Sequence, residues 1–542
     1  MLHRCRRSAI ALSALLFVVP CCPMAAPEPA DRLLDAWRAS GRDAQWSHRS
    51  SSPVAAPALR SDPADVEEPG ATATVRQIAV AASGLIDDAG VARIVQPFLA
   101  VPLGRRRIEL LLRQLDAQLV ETGWITSRSR LVAFDQGQAS LSIEVVPGRM
   151  ESMRAAGLQS DALARAMPVK EGDVLSLQAV EQGVQQINRL RMYQAQARIL
   201  PGNAAGTSLL DILLSEGRSW SLGFGVDNEG TRTTGRDRLR VTGRIGNLLG
   251  ALDDIQFAFL ESTHSDAALA SVTLPAGYGL WSATVSGSRS SFEVAGLKLA
   301  SRALTGVLGW NRVLAMSREW RDSLDLSLSR TVLDRSVEGA DLSGEHTTVL
   351  RTAWTHIGRG DRFQCYVEPA LSIGLPLFGA TRDASALPRA DSHRQFARWV
   401  LGAGLVARSD GGAFEYAGQL TIQHSNTGLV GSEQLHVGGL ASVRGFDEAA
   451  ESGDRGYVVR NEIRLPKVLS ALPFPAVPFV HVDQGASRRI GGSTHTLASV
   501  GIGARGAGGG VLWEGVASLP VRRNAAHIND VWRVHFSVSF EI

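Results

Sequence analysis

The residues best placed for chemistry in this chain of 542 residues lie in one tract, 436–465. Within it, Val443, Arg444, Gly445 and Phe446 set one cation between two apolar side chains at a glycine-allowed turn. That order presents the guanidinium at the tip of a folded loop; an ordinary solvated loop arginine fits the same four residues. Downstream, Phe479-Val480-His481-Val482-Asp483-Gln484-Gly485 reads as a strand carrying a carboxylate on one face. If Arg444 folds away from bulk water it needs such a carboxylate as a bidentate partner, because an unpaired guanidinium there is costly. Asp483 is the candidate. Nothing in the chain competes with this pair as a bond-making centre. It holds no His-Glu-x-x-His pair, phosphate loop or Gly-x-Ser-x-Gly elbow. The glycines of 506–510 sit between strand-like segments, where a turn explains them. No catalytic role, metal or cofactor is expected.

The elements that would position this pair follow from composition. Lys and Arg number 56 against 53 Asp and Glu, a net charge of +3, without the clustered basic excess of a nucleic-acid binder. Charged residues are 20 % and glycines number 55, a low-charge, glycine-rich profile. Residues 1–26 read as a signal peptide: Arg4, Arg6 and Arg7, an apolar run over 9–19, then Ala25 and Ala26. Cys5, Cys21 and Cys22 fall inside it, which leaves Cys365 and no disulfide framework. Within 27–40, Leu33, Leu34 and Trp37 share one helical face behind Asp31, either a docking helix or part of a solvated linker. Residues 41–73 are Ser-, Pro- and Ala-rich and read as a flexible tether.

Two small α+β units are expected over 74–148 and 149–217. In the first, 75–81, 124–128 and 141–146 read as strands and 110–119 as a helix. In the second, 158–167 and 177–190 read as helices and 195–200 and 209–214 as strands. From 218 to 542 the pattern changes to period-two alternation, ending in Trp532, Val534, Phe536, Val538, Phe540 and Ile542. Strands apolar on one face and polar or small on the other suit a transmembrane barrel with a wet lumen. At roughly 20 residues per strand and turn, this stretch accommodates about 16 antiparallel strands. A large soluble sandwich shares the alternation; export and its continuation to Ile542 favour the barrel. Aromatic residues, at 6 %, are sparse for two interfacial girdles.

With these motifs in hand, the chain resembles the two-partner secretion (TpsB) outer-membrane transporters, within the superfamily of barrel-assembly and translocation proteins. Val443, Arg444, Gly445 and Phe446 match the loop-six tetrad. Gly123-Trp124-Ile125-Thr126-Ser127-Arg128 and, further on, Asn188-Arg189-Leu190 with Pro201-Gly202 resemble two polypeptide-transport-associated (POTRA) domains. Asp227-Asn228-Glu229-Gly230 resembles the first barrel hairpin. The resemblance implies a monomeric 16-stranded barrel in outer-membrane lipid, periplasmic POTRA domains that bind an unfolded exoprotein, and a plug helix for which 31–39 is the candidate. It implies that Arg444 reaches Asp483 on the barrel wall. The chain departs from the family pattern two residues before that Asp, where Phe or Gly is usual and His481 stands here. The implied function is export of a haemolysin-, adhesin- or haem-acquisition-like partner; the alternative is an assembly factor that inserts other barrels.

Overall fold

The computed structural model describes residues 62–542, apart from 136, 232, 295, 318, 343, 470–474 and 524–530. The signal peptide expected over 1–26 and the helix expected over 27–40, with Leu33, Leu34 and Trp37, lie outside the described residues. The last part of the expected tether, 62–73, is pinned rather than free. Pro63 is buried, and the Glu68 carboxylate accepts the backbone N–H groups of Gly104 (3.1 Å), Arg106 (3.2 Å) and Arg107 (2.6 Å). These are the unpaired donors at the start of a helix, where an anion is favoured. Burial pushes this carboxyl upward, but the three N–H donors and the Arg107 charge outweigh it and hold it below the ordinary carboxylate value.

The first unit runs β1 (Gln77–Ala81), α1 (Asp88–Val95), α2 (Arg105–Glu121), β2 (Arg128–Asp135) and β3 (Ser140–Val146), with sheet order β1-β3-β2. Ile108, Leu111, Leu115 and Leu119 of α2 recur at helical spacing and pack with Leu141, Ile143 and Val145 of β3. Residues 124–127, expected in a strand, instead seal the end of α2. Gly123 takes φ +95°, and the Trp124 N–H bonds back to Leu119 O at 2.7 Å. Such a left-handed cap uses the apolar residue after it to cover the helix end. The second unit repeats the topology with β4 (Arg149–Ala155), α3 (Ser160–Ala166), α4 (Leu177–Asn188), β5 (Tyr193–Pro201) and β6 (Thr207–Glu216), in order β4-β6-β5.

Sixteen antiparallel strands then close into a barrel. They begin with β7 (Trp220–Asp227), β8 (Arg238–Gly246), β9 (Asp254–Ser262), β10 (Ser265–Ala276) and β11 (Gly279–Val294). There follow β12 (Leu297–Met316), β13 (Trp320–Val337), β14 (Glu345–Arg359), β15 (Phe363–Gly374), β16 (Ala397–Arg408) and β17 (Glu415–Ser425). The set ends with β18 (Arg455–Arg464), β19 (Ala476–Arg488), β20 (Thr494–Gly508), β21 (Val511–Arg522) and β22 (Arg533–Glu541). Along β22, Val534, Phe536, Val538 and Phe540 are exposed while His535 between them is buried, as a lipid face backed by a polar lumen requires. Four tryptophans lie toward the rim nearest the α+β units. Trp281 stacks near Trp310 at 6.0 Å, and Trp320 and Trp354 flank His356 at 6.3 and 5.8 Å.

Two joints fix the barrel. At the seam, Ser537–Glu541 of β22 pair with Gly223–Asp227 of β7, and the Asn228 side chain prolongs the ladder. Its amide donates to Val534 O (3.0 Å) and accepts from Phe536 N (2.9 Å), so a side chain stands in for strand backbone. At the rim, Leu252 from the β8–β9 turn is fully buried in the core of the second unit. Gln186 of α4 donates to Gly277 O (3.1 Å) and Gly279 O (2.9 Å), and Arg189 to Leu252 O (2.6 Å). Leu252→Asp, which buries an unpaired carboxylate there, should speed amide exchange in α4 at least about tenfold and leave the barrel strands protected. Unchanged α4 protection, read by mass spectrometry, would show that this joint does not hold the unit in place.

Candidate functional site

Loop six spans 426–454, between β17 and β18, and folds into the lumen. Its stem is a short hairpin, Leu435–Val437 against Glu451–Gly453. Val437, Val443, Phe446 and Ala450 form an apolar cluster with Val458 of β18 and Leu497 of β20. The loop therefore carries its own small core into a polar channel, and that core orients the tetrad. Val443 and Phe446 face the cluster, and Arg444 between them turns to the wall, fully buried.

Gly445 differs from the sequence expectation. Its φ is not among the left-handed ones, so it serves no special turn. A Cβ there would lie 2.7 Å from Ser499 Cβ and 3.1 Å from Pro520 N, so glycine is needed for the loop backbone to rest on the wall. The turn glycines are Gly438 (φ +118°) and Gly439 (φ +94°).

The guanidinium of Arg444 forks onto two carboxylates. Nε donates to Asp483 Oδ2 at 2.6 Å and Nη2 to Asp483 Oδ1 at 2.7 Å. Nη1 donates to Glu462 Oε1 at 2.5 Å. The structure thus brings Arg444 and Asp483 together in bidentate geometry. His481 does not displace the pair: it lies beside Asp483 with Nδ1 3.2 Å from Oδ2, and its Nε2 is 2.9 Å from Ser518 Oγ.

Glu462 was missed as a site residue. Beyond Arg444 it accepts from Arg464 Nε (2.8 Å) and Arg505 Nη2 (3.1 and 3.2 Å), and Arg505 also lies over the Phe479 ring at 4.4 Å. Its signal was available: Arg460, Glu462 and Arg464 recur at period two on one strand, placing three charges on its lumen face. Two further ties run to the closing strand. Asp447 pairs with Arg533, and His535 Nε2 lies 3.2 Å from Arg444 O. Loop six is therefore fastened to both β19 and β22.

A closed lipid-facing barrel, two α+β units docked at one rim and an arginine-latched loop in the lumen define a POTRA-bearing outer-membrane transporter. The comparisons give the family. Residues 206–506 match the model for haemolysin secretion/activation protein ShlB/FhaC/HecB, and 73–148 and 149–201 match POTRA domain models, the first of ShlB type. The chain belongs to that family. It is 28 % identical over 463 residues to the outer membrane transporter CdiB of Escherichia coli, covering 82 % of this chain and 76 % of that one. It is 30 % identical over 409 residues to CdiB of Escherichia coli O6:K15:H31, covering 72 % and 68 %. The solved structure of CdiB from Escherichia coli superposes with a TM-score of 0.83 at 27 % identity, over 96 % of this chain and 100 % of the other.

Arg444→Ala and Asp483→Ala, alone and combined, form a cycle read by urea unfolding in detergent. Each single change strands a buried charge and should destabilise by about 3–5 kcal/mol. A coupling energy of at least about 1.5 kcal/mol is expected from the fork; additive effects would deny that the two side chains hold each other.

Proposed function

We propose that the protein is an export pore of two-partner secretion, with its barrel in the outer membrane and its POTRA domains in the periplasm. Its substrate class is a partner exoprotein. The observation that carries the mechanism is Arg444, buried in the lumen on two carboxylates of the wall. The latch holds loop six across a path lined by Ser, Thr, Arg and Glu, and such a path suits an unfolded chain whose backbone needs water or polar partners.

The POTRA sheets offer a way to receive that chain. β2 is an edge strand with Leu131 and Val132 exposed, and β5 is an edge strand in the second unit. An extended segment of the exoprotein adds to such an edge through backbone hydrogen bonds, with side-chain contacts supplying preference. Val443, Arg444, Gly445 and Phe446 are the loop residues assigned to transport and Asp483 their wall partner. Loop six then shifts, the chain threads the lumen, and folding outside supplies direction. The barrel works as a monomer. Residues 31–39, with Leu33, Leu34 and Trp37, are assigned as a plug of the resting pore.

Arg444→Ala should insert at a normal level but lower secretion at least about tenfold, as loss of a buried charged pair would. The exchange Arg444→Asp with Asp483→Arg should secrete more than either single change. Secretion of Arg444→Ala at the unmutated level would remove the latch from the mechanism. Deleting residues 31–39 should raise single-channel conductance in planar bilayers; the same conductance as the full chain would exclude them as the plug.

A further inference from the structure

Release of the latch would leave its two carboxylates in different positions. Glu462 keeps Arg464 and Arg505 within hydrogen-bond distance after Arg444 departs. Asp483 does not. Among the described residues its ion-pair partners are Arg444 and, at 3.2 Å, His481 Nδ1; Arg460, opposite it on β18, acts on it only through its charge at longer range. A fully buried carboxylate without a donor is strongly unfavourable, so the wall needs something to replace the guanidinium if loop six is to leave at a useful rate.

Two groups flank Asp483 without an aligned hydrogen bond to it. His481 is buried, and its Nδ1 makes no aligned hydrogen bond despite lying 3.2 Å from Asp483 Oδ2. The ring is held from its far side, where Nε2 meets Ser518 Oγ at 2.9 Å. That reach depends on Gly501 of the intervening strand, where a Cβ would lie 2.3 Å from Nε2. Ser499 is the residue directly opposite Asp483 in the β19–β20 register. It is fully buried, and its Oγ has no hydrogen-bond partner among the described residues. Buried polar atoms without an aligned hydrogen bond are uncommon in folded proteins, and among the described residues His481 Nδ1 lies beside this carboxylate and Ser499 Oγ on the residue opposite it.

We infer that His481 and Ser499 are reserve donors that take over Asp483 when Arg444 leaves, and so ease the release of loop six. This role requires the tautomer in which Ser518 donates its hydroxyl to Nε2 and the imidazole carries its proton on Nδ1, facing Oδ2. A small rotation of the carboxylate aligns that N–H, and the Ser499 hydroxyl turns to the same group. Both are positioning residues: they act through Asp483 and touch no cargo. This inference rests on the reading that loop six moves during transport.

The test reads loop release without cargo. In exported protein that has lost residues 1–26 with Cys5, Cys21 and Cys22, and that carries Cys365→Ser and Ala450→Cys, a buried loop-six position, maleimide labelling in detergent with sub-denaturing urea reports opening. His481→Leu and His481→Asn place the same number of heavy atoms in the side chain, and only the second keeps a donor. The Leu variant should label about tenfold more slowly and the Asn variant within about twofold of the parent, as loss or retention of a hydrogen bond to a charged group requires. Ser499→Ala, which adds no bulk, should slow labelling about threefold. Labelling of His481→Leu at the parent rate or faster, Asn as slow as Leu, or no labelling of any variant would each overturn the assignment. Secretion is scored separately. Slowed labelling with normal secretion leaves the donors in place and removes loop movement from transport, whereas parental labelling with lost secretion does the reverse.

Discussion

The structure is organised around a guanidinium held inside a pore. Arg444 has no exposure, yet it sits in a channel that must serve polar cargo, so its charge has to be met by protein rather than by bulk water. Meeting it takes two strands that are neighbours in the barrel, β18 with Glu462 and β19 with Asp483. It also takes a loop that can lie on the wall, which demands Gly445 against Ser499 and Pro520. The apolar cluster of loop six exists because the same loop must be stiff enough to aim one side chain. Each of these is a consequence of placing one cation where the dielectric is low and the fork geometry strict.

The surrounding barrel divides its own work between faces and ends. Lipid takes the apolar face, and the lumen face carries serine, threonine and charge pairs, so the strands show strict alternation where they are packed by neither loop nor POTRA unit. At the end opposite loop six, the second unit buries Leu252 and bonds to two periplasmic turns, which turns a domain joint into a shared core. At the seam, Asn228 lends its side chain to the last strand. The closing strand is further tied from inside, through Arg533 to Asp447 and His535 to the carbonyl of Arg444, so latch and seam share a loop.

Much of this was legible from residue types and spacing. Period-two alternation identified the barrel because every strand has one face in lipid, and lipid permits little compromise. Arg444 and Asp483 stood out because a cation between apolar neighbours and a carboxylate on an alternating strand each need an explanation. What failed did so for physical reasons. Gly445 was read as a turn because glycine signals either left-handed backbone or close approach, and only the fold says which. Trp124 and its neighbours look like a strand by apolar content, but a Schellman-type cap at Gly123 uses the same apolar residue to cover a helix end. Helix α1 went unread because it is short and carries Gly90, which is there because a Cβ would lie 2.6 Å from the Asp87 cap oxygen. Glu462 was hidden because charges on a lumen face look alike until the loop arrives.

The distribution of bonds also separates what moves from what does not. Barrel strands are held by continuous backbone ladders, and the second POTRA unit by a dry core with hydrogen bonds around it; neither can be undone a residue at a time. Loop six is different. It rests on the wall through one small apolar cluster shared with Val458 and Leu497 and through side-chain pairs, and several of the groups those pairs use have other partners: Glu462 has two further arginines and Arg464 has Glu415. The docking site of such a loop keeps partners for most of its charges, whereas the cylinder and its POTRA joint are held by ladders and a shared core. Local stability in proteins follows the density of such contacts, and here the least redundant contact is Arg444 on Asp483.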